Sequence, residues 1–559
     1  MSYIIPISVT ALLIALLYIY KRKKDREKIK NQLNKQFGQP KEEAYFNFEL
    51  IERYFDKVSK NVASFQVLNN RTIQDIDWHA IFEFVDRTYS KIGQQYLYAK
   101  LRIIEDEKSL KKFDTLVTQL QEDPAARERI AFSLNRGSNL AAYHIEELIS
   151  DRHVPKPKWY PLVFVSLMVS VSVFILSFKF PALIICLLPV LVINFFFHYW
   201  NKKNIDYYKL ATIEFLKSIR IAEELSKVEV VSQHFSNLDF LKRAKALKQK
   251  IQFITFEETV SHDITGVIYS FIELIKVLLN VEIIQTFNFI KALENEGSIV
   301  HDTFRFIGEV DAAISVASLR TGSEKYCKPT FVKSKEINIQ SIYHPSISGC
   351  VENDLLLNQK SLLLTGSNMS GKTTFIRSVI INSILAQTIY TCFAESYTAP
   401  FMKIFSSIRI MDDLLDGKSY YQEEVDTIRG FISETQHDVP CLFAMDELFK
   451  GTNTAERISG GKAVLSYLNK GNNIVLVATH DIELTQLLNE EYELFHFGEL
   501  IEDNQLFFDH KLKKGPVRTR NAIRILEINN YPASVIADAI QVLSRVDERK
   551  LIKERTSLN

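Results

Sequence analysis

The stretch that decides the fold is Gly366-Ser367-Asn368-Met369-Ser370-Gly371-Lys372-Thr373, which fits the phosphate-binding pattern G-x-x-x-x-G-K-[ST]. It lies between an apolar, strand-like run at 361–365 and a helix-like run from Thr374 to Gln387. Glycines let backbone N–H groups surround phosphate oxygens, while Lys372 adds positive charge and the Thr373 hydroxyl can ligate Mg²⁺. The sequence therefore predicts a nucleoside triphosphate site, in preference to a chance match in a glycine-bearing loop.

Two further apolar runs end in polar residues that a hydrolytic site needs. The run at 441–445 leads into Asp446, predicted to hold Mg²⁺, and Glu447, predicted to be the general base for the attacking water. The run at 473–479 leads into His480, which is predicted to sense the γ-phosphate. The alternatives are solvated acidic residues at a strand end and a structural histidine.

The order and spacing of these pieces resemble the ATPase domain of the MutS family. The family loop reads T-G-x-N-M-x-G-K-[ST]-T, and Thr365 to Thr374 reads T-G-S-N-M-S-G-K-T-T. The segment at 446–454 is similar to D-E-[ILV]-G-R-G-T-S-T, with departures at Phe449, Lys450 and Asn453. The resemblance implies that ATP and Mg²⁺ are the cofactors. The nucleotide-binding residues are then Gly366, Ser367, Asn368, Met369, Ser370, Gly371, Lys372, Thr373 and Thr374, and the metal ligands are Thr373 and Asp446.

Two segments resemble parts of the family that serve dimerisation. Residues 416–424 resemble G-x-S-T-F-x-x-E, whose serine reaches the ATP of the opposite subunit, so the resemblance implies that role for Ser419. An ordinary turn serine is the alternative. Asn530 to Ile536 resembles G-L-P-x-x-V-I, which opens a C-terminal dimerisation element. The resemblance implies a homodimer with two composite ATP sites, and the predicted catalytic residues are Lys372, Ser419, Glu447 and His480.

Weaker resemblance extends upstream of the loop. His344-Pro345 and Val351 to Asp354 resemble the family's H-P and V-P-N-D elements. Ile81 to Gly93 resembles the start of the family's helical core, L-L-D-x-T-x-T-x-M-G, and Gly308 to Ala317 resembles its closing stretch, G-x-I-D-x-x-x-S-x-A. The resemblance thus implies an all-α core before the ATPase domain.

Both modules with which the family touches DNA are expected to be absent. Residues 21–73 are short for a globular mismatch-reading domain and contain no F-x-E motif, and residues 206–318 read as nearly continuous helix without room for a clamp. The basic stretch at 242–250 could contact phosphates of DNA or lipid, with a solvated helix face as the alternative. DNA is therefore a partner that the resemblance implies and the rest of the sequence supports weakly.

Three apolar segments stand out instead: Ile4 to Tyr20, Trp159 to Phe178 and Phe180 to Tyr199. Each approaches the ~20 helical residues that cross a bilayer, so the sequence predicts an N-terminal span and a transmembrane hairpin. Their basic flanks predict a multi-pass protein of the cytoplasmic membrane, with the N-terminus outside and the ATPase domain in the cytoplasm. A cleaved signal peptide and a buried soluble hairpin are the alternatives.

Composition argues against several other classes. The 68 basic and 67 acidic residues of the 559 nearly balance, so no overall charge favours nucleic acid. Five scattered cysteines without C-x-x-C suit a reducing compartment rather than a metal site. An ABC-type transporter subunit is the runner-up function because Ile458 to Lys462 resembles L-S-G-G-Q, although that signature precedes the acidic strand in transporters. A membrane scaffold with nucleotide-gated assembly is the third.

The predicted fold class is an α/β P-loop NTPase domain C-terminal to an all-α core, with a transmembrane hairpin interrupting the core and a transmembrane helix at the N-terminus. The predicted domains are an anchor at 1–24, a cytoplasmic linker at 25–73, the first part of the core at 74–158, the hairpin at 159–200, the second part of the core at 201–330, and the ATPase domain with dimerisation helices at 331–559. The predicted function is ATP hydrolysis that drives conformational change, with the effector left open.

Overall fold

The computed structural model describes residues 4–557 apart from 43–44, 150–154, 250–273, 296–297, 368, 409–419, 450, 503–504 and 518–521. The chain divides into two compact units, which we call the helical unit and the sheet unit. The helical unit comprises Met1–Ala63, Phe82–Ile103 and Lys108–Ser323, and the sheet unit comprises Ser64–Ile81, Ile104–Glu107 and Glu324–Asn559.

Most of the described chain before residue 324 is helical. The α-helices of the whole chain are α1 (Ile4–Gln36), α2 (Phe48–Ile51), α3 (Arg53–Val58), α4 (Asn70–Asp75), α5 (Trp78–Val85), α6 (Lys91–Arg102), α7 (Glu107–Glu122), α8 (Pro124–Leu134), α9 (Pro161–Ser177), α10 (Leu187–Leu225), α11 (Glu229–His234), α12 (Val281–Asn295), α13 (Ser298–Gly322), α14 (Lys372–Ile389), α15 (Tyr420–Glu434), α16 (Thr454–Leu468), α17 (Ile482–Leu487), α18 (Ala522–Ile528) and α19 (Ala533–Ser557). Short 3₁₀ helices occupy Asn135–Gly137, Leu140–Ile149 and Pro181–Cys186.

Helices α6 and α13 pack against each other in the helical unit. Asp311 on α13 is fully buried and accepts hydrogen bonds from the Tyr89 and Ser90 backbone N–H groups at 2.9 and 2.8 Å and from the Ser90 hydroxyl at 2.6 Å. A Cβ on Gly93 would lie 2.0 Å from an oxygen of Asp311, so only glycine permits this approach. The two stretches that resemble the start and close of the family's core therefore pack together.

One described helical stretch, Pro181–Lys203, is long and apolar enough to cross a membrane by length and composition. Pro161–Ser177 is apolar but shorter, so this part of the chain offers one candidate span and the predicted hairpin is not confirmed. The apolar segment at 4–20 lies within α1, and most of its side chains fall outside the described residues. The prediction of three spans is therefore not supported.

The second limb of the predicted hairpin does not end where the apolar run ends. Helix α10 continues without interruption past residue 200 to Leu225. No glycine or proline follows Pro189 within the helix, so nothing in the local sequence breaks it where its composition changes from apolar to charged. The boundary predicted at 200 therefore lies inside a 39-residue helix.

The sheet unit contains two larger sheets. Its strands, numbered along the chain, are β1 (Gln66–Val67), β2 (Ile103–Ile104), β3 (Thr330–Val332), β4 (Glu336–Ile342), β5 (Asn353–Asn358), β6 (Ser361–Thr365), β7 (Ser396–Pro400), β8 (Lys403–Ser407), β9 (Cys441–Asp446), β10 (Ile474–Ala478), β11 (Tyr492–Glu502) and β12 (Gln505–Lys514). A six-stranded sheet has the order β12-β11-β6-β10-β9-β8, and a four-stranded sheet has the order β3-β7-β4-β5.

Parallel pairing in the six-stranded sheet brings the predicted site segments together. Strand β10 pairs in parallel with β6 on one side and β9 on the other, with Ala478 beside Leu364 and Asp446. These strands are continuous apolar runs whose side chains are almost all buried, as expected for parallel strands covered on both faces. Their carboxyl ends therefore meet at one edge, where α/β sheets bind ligands.

Candidate functional site

The glycine-rich loop runs from β6 into α14, and its conformation explains its glycines. Gly366 and Gly371 have φ angles of +142° and +111°, which L side chains rarely adopt. A Cβ at Gly366 would also lie 2.7 Å from the Phe497 carbonyl oxygen on β11. Gly371 gives α14 no side-chain cap, so the first N–H groups of this helix have no side-chain partner, as an anion site requires.

The Lys372 side chain is buried and folds back over the loop. Its ammonium donates to the carbonyl oxygens of Gly366 and Ser367 at 2.7 and 2.8 Å, and lies 3.4 Å from His480 Nε2. The Ser367 hydroxyl is buried nearby and has no hydrogen-bond partner among the described residues. A buried polar atom without a partner is costly, and a phosphate oxygen is the kind of acceptor that would satisfy it.

The two predicted metal ligands are neighbours. The Thr373 hydroxyl donates to Asp446 Oδ2 at 2.5 Å. Mg²⁺ keeps several waters and takes one or two protein oxygens beside substrate phosphates, so this pair of donors fits that ion. The described residues include no group of three or more His, Cys, Asp or Glu side chains that could hold a metal on their own.

Glu447 and His480 lie at the carboxyl ends of β9 and β10. Glu447 has a φ of +60°, and its backbone N–H donates to the Ala478 carbonyl oxygen at 2.8 Å, which fixes the turn. Its Oε1 lies 3.1 Å from His480 Nε2. The structure therefore brings five of the predicted side chains together, those of Lys372, Thr373, Asp446, Glu447 and His480.

Lys372, Thr373, Asp446 and Glu447 line a cavity of about 660 Å³. The polar part contains Lys372, Thr373, Asp446 and Glu447, together with Ser367, Met369, Gly371 and Thr374 from the loop. The remaining lining is mainly apolar, from Ile342, Ile347, Val351, Phe375 and Phe497. A polar end beside an apolar wall, at a volume within the usual ~300–1,000 Å³, suits a nucleotide with its phosphates at the loop.

His510 contacts the glycine-rich loop and was not among the residues predicted from the sequence. Its Nδ1 lies 3.0 Å from the Ser370 carbonyl oxygen, and a Cβ on Gly371 would lie 3.2 Å from the same ring nitrogen. Asn353 supports this position because its amide donates to the His510 carbonyl oxygen at 3.0 Å and accepts from the Leu512 N–H at 2.7 Å. No motif marks His510, which reaches the loop only through the β11–β12 hairpin.

The segment after Glu447 shows how the departures from the family pattern are accommodated. Phe449 stands where the family has glycine and has a φ of +57°, a strained conformation for a large side chain. The backbone N–H of Phe449 donates to Oε1 of the buried Glu424 at 2.5 Å. Asn453 stands where the family has serine and caps α16 by accepting from the Glu456 N–H at 3.0 Å. Asparagine and serine serve equally well as helix caps.

Segment 64–81 of the sheet unit was predicted as part of a linker and the start of the core, yet it covers the outer edge of β8. The Gln66 amide donates to the Ile404 carbonyl oxygen and accepts from the Ile404 N–H, both at 2.8 Å. Asp75 accepts from the Ser406 hydroxyl at 2.6 Å and the Ile408 N–H at 3.0 Å. These side chains replace a neighbouring strand immediately before residues 409–419.

Two predicted site residues, Asn368 and Ser419, lie outside the described residues. So does Lys450, one of the departures from the family pattern. The segment that resembles the family's trans-acting element is described only from Tyr420, where α15 begins. The structure therefore does not test the role predicted for Ser419.

Comparison with known proteins agrees with the geometry of this site. The family described as MutS domain V matches residues 362–547, which run from β6 through the loop and both polar strand ends into α19. Residues 362–547 of this chain belong to the MutS family.

The similarity to individual MutS proteins is concentrated in less than half of the chain. The DNA mismatch repair protein MutS of Geobacillus sp. (strain WCH70) is 31% identical over 265 residues, 45% of this chain and 30% of that protein. The MutS protein of Listeria monocytogenes serotype 4a (strain HCC23) is 32% identical over 264 residues, 44% of this chain and 30% of that protein. The chain thus spans about 30% of the length of these relatives.

We predict that His344 makes the sheet unit sensitive to acid. It is buried, and burial together with the charge of Arg377 lowers its pKa from 6.5 to about 4. Because the folded pKa lies below the unfolded one, its stabilising contribution is complete above pH 6.5 and is lost as the pH falls through about 4, by up to about 3 kcal/mol. Thermal unfolding of the His344→Gln protein should show a weaker loss of stability between pH 6.5 and 4.

The matched control is His437→Gln, since His437 is exposed in the same unit. Its unfolding temperature should follow that of the unsubstituted protein across the same pH range. Parallel pH profiles for His344→Gln and the unsubstituted protein would contradict the assignment.

Proposed function

We propose that this chain binds ATP with Mg²⁺ and hydrolyses it. The observation that carries the proposal is the meeting of Lys372, Thr373, Asp446 and Glu447 at one end of a nucleotide-sized cavity. Lys372 and the loop N–H groups bind the β- and γ-phosphates, and Glu447 takes the proton of the attacking water. His480, 3.1 Å from Glu447 and 3.4 Å from Lys372, contacts both groups and is suited to sense the γ-phosphate. The MutS family is a family of ATPases, which supports the same activity here.

Mg²⁺ would be held by Thr373 and Asp446, whose oxygens already lie within hydrogen-bond distance of each other. When bound, the ion supplies positive charge that stabilises the developing charge on the phosphates. The Asp446 carboxylate accepts the hydrogen bond of the Thr373 hydroxyl, which would keep both oxygens in place to hold the ion.

The structure weighs against the ABC-transporter alternative. The signature-like residues Ser459, Gly460 and Gly461 lie in the middle of α16, after the acidic strand. The Ser459 hydroxyl donates to the Ala455 carbonyl oxygen within that helix. A signature that binds phosphate needs backbone N–H groups at a helix start, and those in mid-helix are used in the helix itself. The scaffold alternative is addressed by measuring turnover.

Substitution of Lys372 and of Glu447 should impair activity in different ways. Lys372→Ala removes a phosphate contact and should weaken ATP binding, measured by equilibrium binding of labelled ATP. Glu447→Gln keeps the shape and removes the base, so ATP should bind while turnover falls by about 100-fold or more. Glu490→Gln, on an exposed residue of the same unit, is the control and should leave both unchanged. Hydrolysis by Glu447→Gln at the normal rate would refute the role of the base.

We further propose that the active form is a homodimer with Ser419 acting across it. The family resemblance of 416–424 motivates this role, and the C-terminal helices support it. Tyr531, Val535, Ile540 and Val542 are all about half exposed near or on α19, so the element leaves apolar side chains for a second copy to cover.

Sharing across a dimer can be tested by mixing two inactive chains. A Ser419→Ala chain and a Lys372→Ala chain each lack one component, but their heterodimer has one site with both. Activity should reappear on mixing, up to about half of that expected for two intact sites per dimer if the sites act independently. Mixing two preparations of the Lys372→Ala chain is the control. Heterodimers that form without regaining activity would show that Ser419 does not act in trans.

We also propose that the chain is anchored in the cytoplasmic membrane with the N-terminus outside. Helices α9 and α10 bury polar side chains and expose apolar ones, the reverse of a soluble protein. Ser166, Ser170 and Asn194 are buried, whereas Met168 and Phe196 are well exposed. Ser166 donates to Asn194 Oδ1 at 2.5 Å, so these two polar groups satisfy one another away from the apolar surface. A bilayer would cover that exposed surface.

Cysteine labelling in intact cells tests this topology. In a Cys186→Ser background, an impermeant thiol reagent should react with Ser2→Cys and Lys179→Cys but not with Lys203→Cys. The Lys203→Cys chain should react after permeabilisation, which is the control for its accessibility. Labelling of Lys203→Cys in intact cells, or release of the protein by alkaline carbonate, would contradict the topology.

DNA repair is the second candidate function, because the similar MutS proteins are DNA mismatch repair proteins. The matched region covers only about 30% of those proteins, so this similarity carries the ATPase part alone. We propose an ATPase that moves its helical unit, without mismatch discrimination as its task. Competition between matched and mismatched duplexes at two salt concentrations separates the two functions.

A further inference from the structure

The helical unit contains a second, larger cavity, of about 1200 Å³, with a strongly basic lining. We call it the basic cavity. One wall is a face of α1, and the other is formed by residues 87–91 together with Asn135, Ser138 and Ser318. Seven of the lining side chains are basic and three are acidic. The basic ones are Lys21, Lys24, Lys28, Lys35, Lys41, Arg87 and Lys91, and the acidic ones are Asp25, Glu27 and Glu42.

Four of the lysines form a stripe along α1. Lys21, Lys24, Lys28 and Lys35 follow one another at intervals of three, four and seven residues, which places them on one face of a helix. All four are exposed, and none is ion-paired with a described residue. A different face of α1 packs on α8, where Lys30 contacts Glu128. The stripe is therefore turned away from the packing contact and toward the cavity.

Arg87 on the opposite wall is a buried cation without an acidic partner among the described residues. Only 7% of it is exposed, its Nη1 donates to the Gly38 and Ser318 carbonyl oxygens at 2.8 and 3.0 Å, and its Nε is buried without a partner. Burial lowers the pKa of the guanidinium to about 10. Removing a charge from water without a counter-charge is costly, so this arrangement favours an anion in the cavity.

We propose that the basic cavity binds a phosphate-bearing anion, held between the lysine stripe and Arg87. The Ser138 hydroxyl on the lining adds a neutral donor of the kind that phosphate oxygens accept, whereas the hydroxyls of Thr88 and Ser90 donate to Asp86 and Asp311. The phosphate belongs either to a soluble phosphate compound or to an anionic lipid headgroup. A headgroup is a candidate because Lys21 directly follows the apolar run of α1. This site is distinct from the ATP cavity in the sheet unit.

General attraction between a juxtamembrane helix and an anionic membrane is the effect from which this site must be distinguished. Arg22 and Lys23 provide a matched control because they are exposed on the same helix and do not line the cavity. One variant replaces both Lys24 and Lys28, and the other replaces both Arg22 and Lys23. Each removes two positive charges at a similar distance from the apolar run of α1. Only the variant that lacks Lys24 and Lys28 should bind the anion more weakly if the basic cavity is the binding site.

The test uses the full chain in neutral detergent with a Gln32→Cys reporter, since Gln32 lines the cavity. The alkylation rate of this cysteine is measured by peptide mass spectrometry with dioctanoyl phosphatidylglycerol, with dioctanoyl phosphatidylcholine, or with sodium pyrophosphate. Because the readout is local to α1, binding of pyrophosphate to the ATP site does not register. The three samples are the otherwise unsubstituted chain, Lys24→Gln with Lys28→Gln, and Arg22→Gln with Lys23→Gln.

We expect phosphatidylglycerol or pyrophosphate to protect the reporter cysteine, and phosphatidylcholine to leave it reactive. The half-protecting concentration should rise about tenfold or more in the Lys24/Lys28 variant and stay unchanged in the Arg22/Lys23 variant. Protection by the lipid alone assigns the phosphate to a headgroup, and protection by pyrophosphate assigns it to a soluble compound. Absence of protection by either anion, or equal weakening in both variants, overturns the proposal.

Discussion

Parallel pairing of three buried strands is the constraint on which the site depends. Because β10 lies between β6 and β9 in register, the loop after one strand and the acidic and histidine residues after the others must end at the same edge of the sheet. Residues separated by about a hundred positions in the chain, such as Lys372 and His480, thereby come within 3.4 Å. Strand β11 pairs with β6 on its other side and leaves no room for a side chain at Gly366, because the Phe497 carbonyl oxygen lies directly beside it.

Much of this site could be predicted from the sequence because each of its parts is locally encoded. A continuous apolar run indicates a buried strand, and a polar residue directly after it indicates the sheet edge, so Asp446, Glu447 and His480 could be placed without a structure. The strand predictions at 361–365 and 441–446 are confirmed to within a residue. The metal, the nucleotide and the roles of these residues remain proposals that the geometry supports.

The residues that were missed act through long-range contacts. His510 has a φ of +50° and lies in β12 opposite an irregularity in the pairing with β11, and only the folding of the β11–β12 hairpin places it against Ser370. Phe449 could be recognised as a departure from the family pattern, but its positive φ and its bond to Glu424 could not. The ends of the helices that contain the apolar segments were also missed. Hydropathy shows where an apolar run ends but not where the helix that contains it ends. Helix α10 accordingly runs 25 residues past Trp200.

Segment 64–81 has a practical consequence for handling the sheet unit. Strand β8 is an outermost strand of its sheet, and side chains of this segment accept from its N–H groups at Ile404 and Ser406 and from that of Ile408 just after it. The Gln66 amide also donates to the Ile404 carbonyl oxygen. An unprotected outer strand is a template for pairing with another chain. A recombinant fragment starting near Glu324 would omit this cover and leave the outer strand free to pair with other copies. If such a fragment were insoluble, the cause would be the missing segment and not low stability of the sheet unit.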